Sequence, residues 1–332
     1  MKKLLLIFVL VFGIKLSAQD VIFSQNFLVP ETLSSSFTGA IRSSKMGSLH
    51  RSQWRNTGFK TRTNYVYFDT WFEGYKTGLG VNFLNHTESA STYTFNQVNL
   101  NYAMAFQISN TWFFRPSISA GLGMKNYGFQ NLLLEDQINA NNPIINTTSI
   151  DPFLLREERK FFDFNASILF NNQDSWVGIT IKHLNKPNIS LSENGNVPLD
   201  LFISAHSKFL IPIFDNYRND FKGMSKLYFL TNFMIQGKVN RLDIGTQYII
   251  DDQFSLGILV STIPLKNVEE ASTISSISAF ASVKWMGFRF GYSYDMNTTK
   301  LFNTGGIHEF SVAYDFNINI RELDRYKCIP FF

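Results

Sequence analysis

The stretch from Met286 to Asn317 constrains the fold more than any other. Its second arm places His308, Phe310, Val312, Tyr314, Phe316 and Ile318 at alternate positions, with Ile307, Glu309, Ser311, Ala313, Asp315 and Asn317 between them. The first arm sets Phe288, Phe290, Tyr292 and Tyr294 against Arg289, Gly291, Ser293 and Asp295. A strand sends successive side chains to opposite faces, so each arm has one aromatic face and one largely polar face. Two architectures use this pattern. A soluble β-sandwich turns the apolar face to a core, and a membrane barrel turns it to lipid.

The two readings differ in what the polar face carries. In a sandwich it meets bulk water and attracts charge. Here it is mostly Gly, Ser, Asn and Ala. In the run ending at Ile108, Val98, Leu100, Tyr102, Met104 and Phe106 oppose Gln97, Asn99, Asn101, Ala103, Ala105 and Gln107. The next run opposes Phe114, Ile118, Ala120, Leu122 and Met124 to Arg115, Ser117, Ser119, Gly121, Gly123 and Lys125. Small neutral residues suit a confined lumen. Similar runs recur near 47–54, 61–72, 75–85, 162–170, 176–182, 200–211, 227–236, 241–250, 254–260 and 277–285, with turn signals between them. With the terminal hairpin this gives about fourteen strands, an even number as bacterial barrels require. The expected fold is an all-β, transmembrane antiparallel β-barrel of the outer-membrane type over residues 46–318. Connections such as EGYK, NNQD and DDQ are short and alternate with longer ones, the asymmetry between periplasmic turns and external loops. With both termini periplasmic this parity fits, except that the connection Pro212–Ser225 is long and GKVN at 237–240 is short where the alternation asks for the reverse. Trp71, Trp112, Trp176 and Trp285 fall near strand ends, where an aromatic girdle is expected.

The start of the chain agrees. Lys2 and Lys3, the apolar run Leu4–Ile14 and the small pair Ser17-Ala18 read as a signal peptide over residues 1–18. Nothing after residue 18 is a run of about twenty apolar residues, so no transmembrane helix is expected. The single cysteine, Cys328, leaves no disulfide within the chain and no cysteine metal cluster. The net charge of +4 contains no basic run and does not point to nucleic acid. Residues 19–45 have no clear period and read as a lumenal plug or a periplasmic segment. Residues 319–332 read as a periplasmic tail.

Catalytic chemistry finds little support. The five histidines are His50, His86, His183, His206 and His308. No G-x-S-x-G or H-E-x-x-H motif occurs, and the sequence HEF at His308 lacks the second histidine. His308 falls on the apolar face, opposite Ser293 and Ser311. Asp251–Gln253 and Asn171–Asp174 read as turns rather than calcium ligands, because Asp and Asn bond their own backbone there. The lumen-facing charges Arg115, Lys125, Lys182, Arg241, Asp243, Arg289, Asp295 and Glu309 read as mutually paired. No cofactor and no metal is expected, and the chain reads as a non-enzyme.

Several segments carry a family resemblance. FSQNFLVPETLSSSFTGA keeps Phe23, Ser24, Gln25, Pro30 and Gly39 in register with the start of mature PorP/SprF proteins of the type IX secretion system of Bacteroidetes; Ser34-Ser35 replaces that family's Asn-Pro pair. Arg51, Gln53 and Trp54 resemble its R-N-Q-W strand. His183, Asn185 and Pro187 resemble its H-L-N-x-P stretch, and Asp295, Gly306, His308 and Glu309 match its closing Y-D and G-x-H-E elements. The resemblance implies an outer-membrane component that supports secretion or surface attachment of specific cargo bearing a C-terminal sorting domain, such as gliding adhesins. It also implies contacts with periplasmic or outer-membrane secretion components. A porin-like solute channel is the alternative. These fifteen positions are the candidate partner-contact residues.

Overall fold

The computed structural model describes residues 20–128, 158–191, 195–212, 225–264, 274–298 and 304–316. The expected signal peptide (1–18), Cys328 and the expected periplasmic tail (319–332) lie outside the described residues. The strands are β1 (Ser44–Gln53), β2 (Thr61–Phe72), β3 (Thr77–Glu88), β4 (Tyr93–Met104), β5 (Phe106–Gln107), β6 (Phe113–Tyr127), β7 (Glu158–Asn171) and β8 (Trp176–Lys182). They continue as β9 (Phe202–Ile211), β10 (Lys226–Gln236), β11 (Val239–Ile250), β12 (Phe254–Thr262), β13 (Ile274–Trp285), β14 (Phe288–Asn297) and β15 (Ile307–Phe316). All paired strands are antiparallel neighbours along a single meander. The sheet closes where β1 pairs β15, from Ser44 opposite Phe316 to Gln53 opposite Ile307. β5 is a two-residue hook on β6, while β4 pairs β6 directly, so the closed barrel has fourteen strands. Closure leaves no sheet edge unpaired, the condition for strands in lipid.

Burial is inverted relative to a soluble protein. Glu309, Asp163 and Ser293 are completely buried, while Leu100 and Phe162 are each 66% exposed. The exposed aromatics Phe288, Phe290, Tyr292, Tyr294 and Phe310 are the outward set of the terminal hairpin. Apolar side chains out and polar side chains in identify a barrel wall rather than a sandwich core.

Short turns at 73–76, 172–175, 251–253 and 286–287 share one end with the start of β1 and the end of β15. Asn172 closes one of them by accepting from the Asp174 and Ser175 backbone N–H groups at 2.8 and 2.7 Å. Asp251 and Asp252 both take φ of 52°, the left-handed pair of a tight hairpin turn. The opposite end carries the longer connections 54–60, 183–201, 263–273 and 298–306. Three connections break the alternation, of which 212–225 and 237–238 are already exceptions in the sequence and only 89–92 differs from expectation. Residues 89–92 form a short turn at the long-loop end, because β3 and β4 pair as far as Thr87 opposite Thr94. Residues 237–238 also make a short turn there, and the connection 212–225 is long at the short-turn end.

Residues 20–43 lie inside the barrel. Three 3-10 turns, Ser24–Phe27, Pro30–Thr32 and Ser35–Phe37, shape the segment. Pro30 opens the second with its φ already suitable, and Ser34 caps the third by accepting from Ser36 N–H at 3.1 Å. Phe23, Phe27, Leu28, Val29, Leu33 and Phe37 pack against wall residues including Tyr65, Leu169, Trp176, Tyr228 and Phe280. The first described residue, Asp20, sits beside Gln236 and His183 at the long-loop end. The segment then crosses the lumen to β1 at the short-turn end. Two tryptophans depart from the expected girdle. Trp176 is buried inside, stacked on Phe27 and edge-on to Phe37, and Trp71 faces the interior beneath Arg42 and Arg115. Their strand parity decides this: each is an odd step from its lipid-facing neighbours. Trp285 is exposed as expected.

Candidate functional site

The interior segment is held at three levels. At the first, Glu309 of β15 is the centre. Its carboxylate accepts from Ser24 N–H at 3.0 and 3.1 Å, from Gln25 N–H at 2.9 Å, and from Arg51 Nη1 at 2.6 Å. Gln25 Nε2 donates to the Glu309 carbonyl at 2.8 Å, and Ser311 Oγ donates to Gln25 Oε1 at 2.6 Å. Ser24 Oγ bonds Asp295, and Arg51 Nη2 reaches Gln53 Oε1 at 3.0 Å. Six candidate residues separated by up to 285 positions thus meet at one buried point: Ser24, Gln25, Arg51, Gln53, Asp295 and Glu309. Charge-assisted bonds to backbone N–H fix the turn that Ser24 and Gln25 begin.

At the second level, His183 follows β8 with φ of 61°. Its Nδ1 lies 2.9 Å from Asp163 and its Nε2 lies 2.9 Å from Asp20. Burial alone pushes the imidazole pKa down, but the two carboxylates outweigh it and hold the pKa at about 9. Burial likewise pushes Asp20 up, yet His183 and Lys182 hold it well below the usual carboxylate range. The carboxylates meet different ring nitrogens and do not converge on one point. Among the described residues no group of three or more His, Cys, Asp or Glu is set to hold a metal ion.

At the third level, Gly39 N–H donates to Asp69 at 2.7 Å, and Arg115 donates to the Ser36 and Thr38 carbonyls at 3.0 and 2.9 Å. Glu31 pairs with Lys45. Gly39 has φ of 66°, and a Cβ there would lie 2.7 Å from Gly78 Cα, so only glycine fits.

The other candidates lie apart from these anchors. Phe23 packs 6.0 Å from Tyr65 within the lumenal core, and Pro30 starts its 3-10 turn. Trp54 N–H donates to the Gly306 carbonyl at 3.3 Å across the long-loop end. Asn185 donates to the Phe162 carbonyl at 2.8 Å and accepts from Phe164 N–H at 3.2 Å. The Pro187 carbonyl accepts from Leu199 N–H at 2.9 Å. His308 is on the outer wall, its Nδ1 2.9 Å from the Tyr292 hydroxyl, with Ser293 and Ser311 on the opposite face. Asp20, Glu31, Lys45, Asp69 and Asp163 belong to the anchors but were not singled out from sequence. Inward parity on β1, β2 and β7 was the available signal for Lys45, Asp69 and Asp163.

Lumenal charges pair as expected on three strands: Arg241 with Asp243 at 2.7 Å, Arg289 with Asp315 at 3.2 Å, and Glu309 with Arg51. Beside the segment remains a cavity of about 90 Å³, lined by Asn82, Gln97, Asn99, Asn101, Asp163 and Lys182 among others. That is room for a handful of waters, well below the volume of a small-molecule site.

Comparison with solved structures finds outer-membrane barrels. The chain is similar to the Acinetobacter baumannii outer membrane protein Omp33 (7% identity, TM-score 0.44, covering 84% of this chain and 100% of that one). It is similar to the P. putida toluene transporter TodX (7% identity, TM-score 0.47, covering 85% and 92%) and to the KdgM porin (9% identity, TM-score 0.35, covering 82% and 99%). At such identities and scores, nothing about activity follows from them. No curated protein matches the sequence. The family described as type IX secretion system membrane protein PorP/SprF matches residues 15–314. A closed lipid-facing barrel and a match over nearly the whole chain agree, and neither family nor fold is that of an enzyme class. The chain is an outer-membrane β-barrel and belongs to the PorP/SprF family of type IX secretion system membrane proteins.

Proposed function

We propose that this barrel supports secretion or surface attachment of specific cargo bearing a C-terminal sorting domain, such as gliding adhesins, through protein–protein contacts. The observation that carries this reading is the occupied lumen. Residues 20–43 occupy it and are anchored at Glu309, His183 and Asp69, and the cavity beside them among the described residues measures about 90 Å³. A barrel closed in this way is a platform, and its loops and turn-end surface are what remains for partners. The segment acts as a plug, and the motif residues that meet at Glu309 hold it. Their role is therefore to shape the platform rather than to touch cargo directly. Secretion components in the periplasm meet the short-turn end.

Deleting the gene tests this. One or a few surface proteins should disappear from the cell surface while general secretion persists; an unchanged surface proteome would overturn it. The porin-like reading draws support from the polar lining of the residual cavity. Planar-bilayer recording of the purified protein separates the two, since a plugged platform gives no steady conductance and a solute channel gives an open one.

A further inference from the structure

The outer wall carries one feature that a lipid-facing surface does not require. On four successive strands, His50, Asn64, Asn85 and Asn96 stand side by side in direct register on the outward face. They form a chain of hydrogen bonds: His50 Nδ1 to Asn64 Oδ1 at 2.7 Å, Asn64 Nδ2 to Asn85 Oδ1 at 3.2 Å, and Asn85 Nδ2 to Asn96 Oδ1 at 2.8 Å. The direction of the amide bonds makes His50 the donor at its end. The ladder therefore presents an open acceptor at His50 Nε2 and open donors at Asn96 Nδ2, neither of which has a partner among the described residues. A row of outward positions in direct register near the loop end of β11 to β14 is Ile244, Val260, Ile277 and Met296. Burying unpaired amides in hydrocarbon is costly, so a ladder here marks a local boundary of the apolar belt.

The surfaces above and below it are ordered. Below, toward the short-turn end, Val66, Phe83, Val98 and Leu100 are exposed and apolar. Above, Arg62 faces outward two residues beyond Asn64, opposite Ser52, whose Oγ accepts from Arg55 Nε at 2.9 Å. Lys60 is exposed beside them, as is Phe59 at 67%. The hairpin from Arg51 to Arg62 holds no acidic residue. The nearby carboxylate Glu88 is drawn to His86, 3.6 Å away. Apolar wall, hydrogen-bonding ladder and cations follow one another along the barrel. An amphiphile with acyl chains, a hydroxyl-rich headgroup and a phosphate has the same order. A protein partner does not require that order.

We propose that the outer face of β1–β4 binds a phosphorylated glycolipid of the outer leaflet. Arg55, Lys60 and Arg62 take the phosphate, the His50–Asn64–Asn85–Asn96 ladder takes the sugar hydroxyls, and the acyl chains lie on Val66, Phe83 and Val98. Arg and Lys suit a phosphate by charge and, for Arg, by its fork of donors. The assignment takes the long-loop end as external, as in other outer-membrane barrels.

The test is native mass spectrometry of the purified full-length barrel in detergent, offered lipid A, phosphatidylglycerol or inorganic phosphate. Wild type should retain one lipid A. R55Q/K60Q/R62Q should weaken retention by about tenfold or more, the effect of 1.4 kcal/mol or greater. N64L/N85L should weaken lipid A while leaving phosphatidylglycerol unchanged. Heat-modifiable gel migration establishes that each variant is folded, and R55Q/K60Q/R62Q changes only two hairpin residues and an exposed side chain at the start of β2, so it remains informative should the ladder variant fail to fold. Equal retention by R55Q/K60Q/R62Q would overturn the proposal. So would displacement of lipid A by phosphatidylglycerol or by phosphate alone. A lipid-free pair of chains lost on N64L/N85L substitution would also overturn it, making the ladder an interface between copies.

Discussion

Glu309 is the residue on which most of the interior depends. It compensates Arg51 and accepts the Ser24 and Gln25 backbone donors of the lumenal segment. Replacing it by Ala leaves a buried guanidinium unpaired, which costs about 3 to 5 kcal/mol. We expect E309A to lower the urea midpoint and to expose residues 20–43 to protease in the folded barrel. Gly39→Ala should destabilise by more than about 1 kcal/mol, since it combines a left-handed φ with contact on Gly78; unchanged unfolding would contradict the close approach. His183 makes the anchoring pH-dependent. Its folded pKa of about 9 lies above the ordinary 6.5, so its contribution is full below pH 6.5 and is lost as pH rises through 9. Asp20, held low by the same pair, contributes above pH 3.8 and loses that contribution as pH falls further. Protease release of the N-terminal segment should therefore rise in alkaline solution, and H183N should abolish that rise.

Among the elements, the strands answer to lipid on one face and to the segment on the other. Arg in place of Leu100 or Phe310 on the outer face should cost up to about 2 to 4 kcal/mol near the midplane, read as reduced folding into vesicles. The interior face tolerates polarity but not loss of fit. Removing residues 20–43 deletes Phe27, Leu28 and Phe37 from the lumenal core and takes the Ser24, Gln25, Asp20 and Gly39 contacts away from Glu309, His183 and Asp69. The outcome should be a conducting barrel where wild type is silent, measured in planar bilayers. A silent deletion variant that is folded would count against the plug.

At the scale of the whole molecule, the closing β1–β15 ladder places Arg51 opposite Glu309 and Gln53 opposite Ile307, and Trp54 N–H reaches the Gly306 carbonyl just beyond it. The family's first and last motifs meet only because the barrel is closed. The barrel has two unlike ends, one of mostly short turns and one of longer connections that includes the cationic β1–β2 hairpin.

Alternation is a local property, so strand existence, facing and the outer-membrane class were legible in residues such as Phe310 and Glu309 taken two at a time. Turn chemistry was legible for the same reason at Asn172 and Asp251. The resemblance carried by Ser24, Gln25, Arg51 and Glu309 pointed to the family but not to their purpose. Their convergence spans up to 285 positions and depends on barrel closure and on a segment without periodicity. Trp176 illustrates the limit. Its place at a strand end suggested a girdle, yet its parity and the aromatic partners Phe27 and Phe37 put it inside. Local pattern determined which residues face lipid. Only tertiary structure decided what fills the lumen, because that depends on contacts between parts of the chain that no local spacing relates.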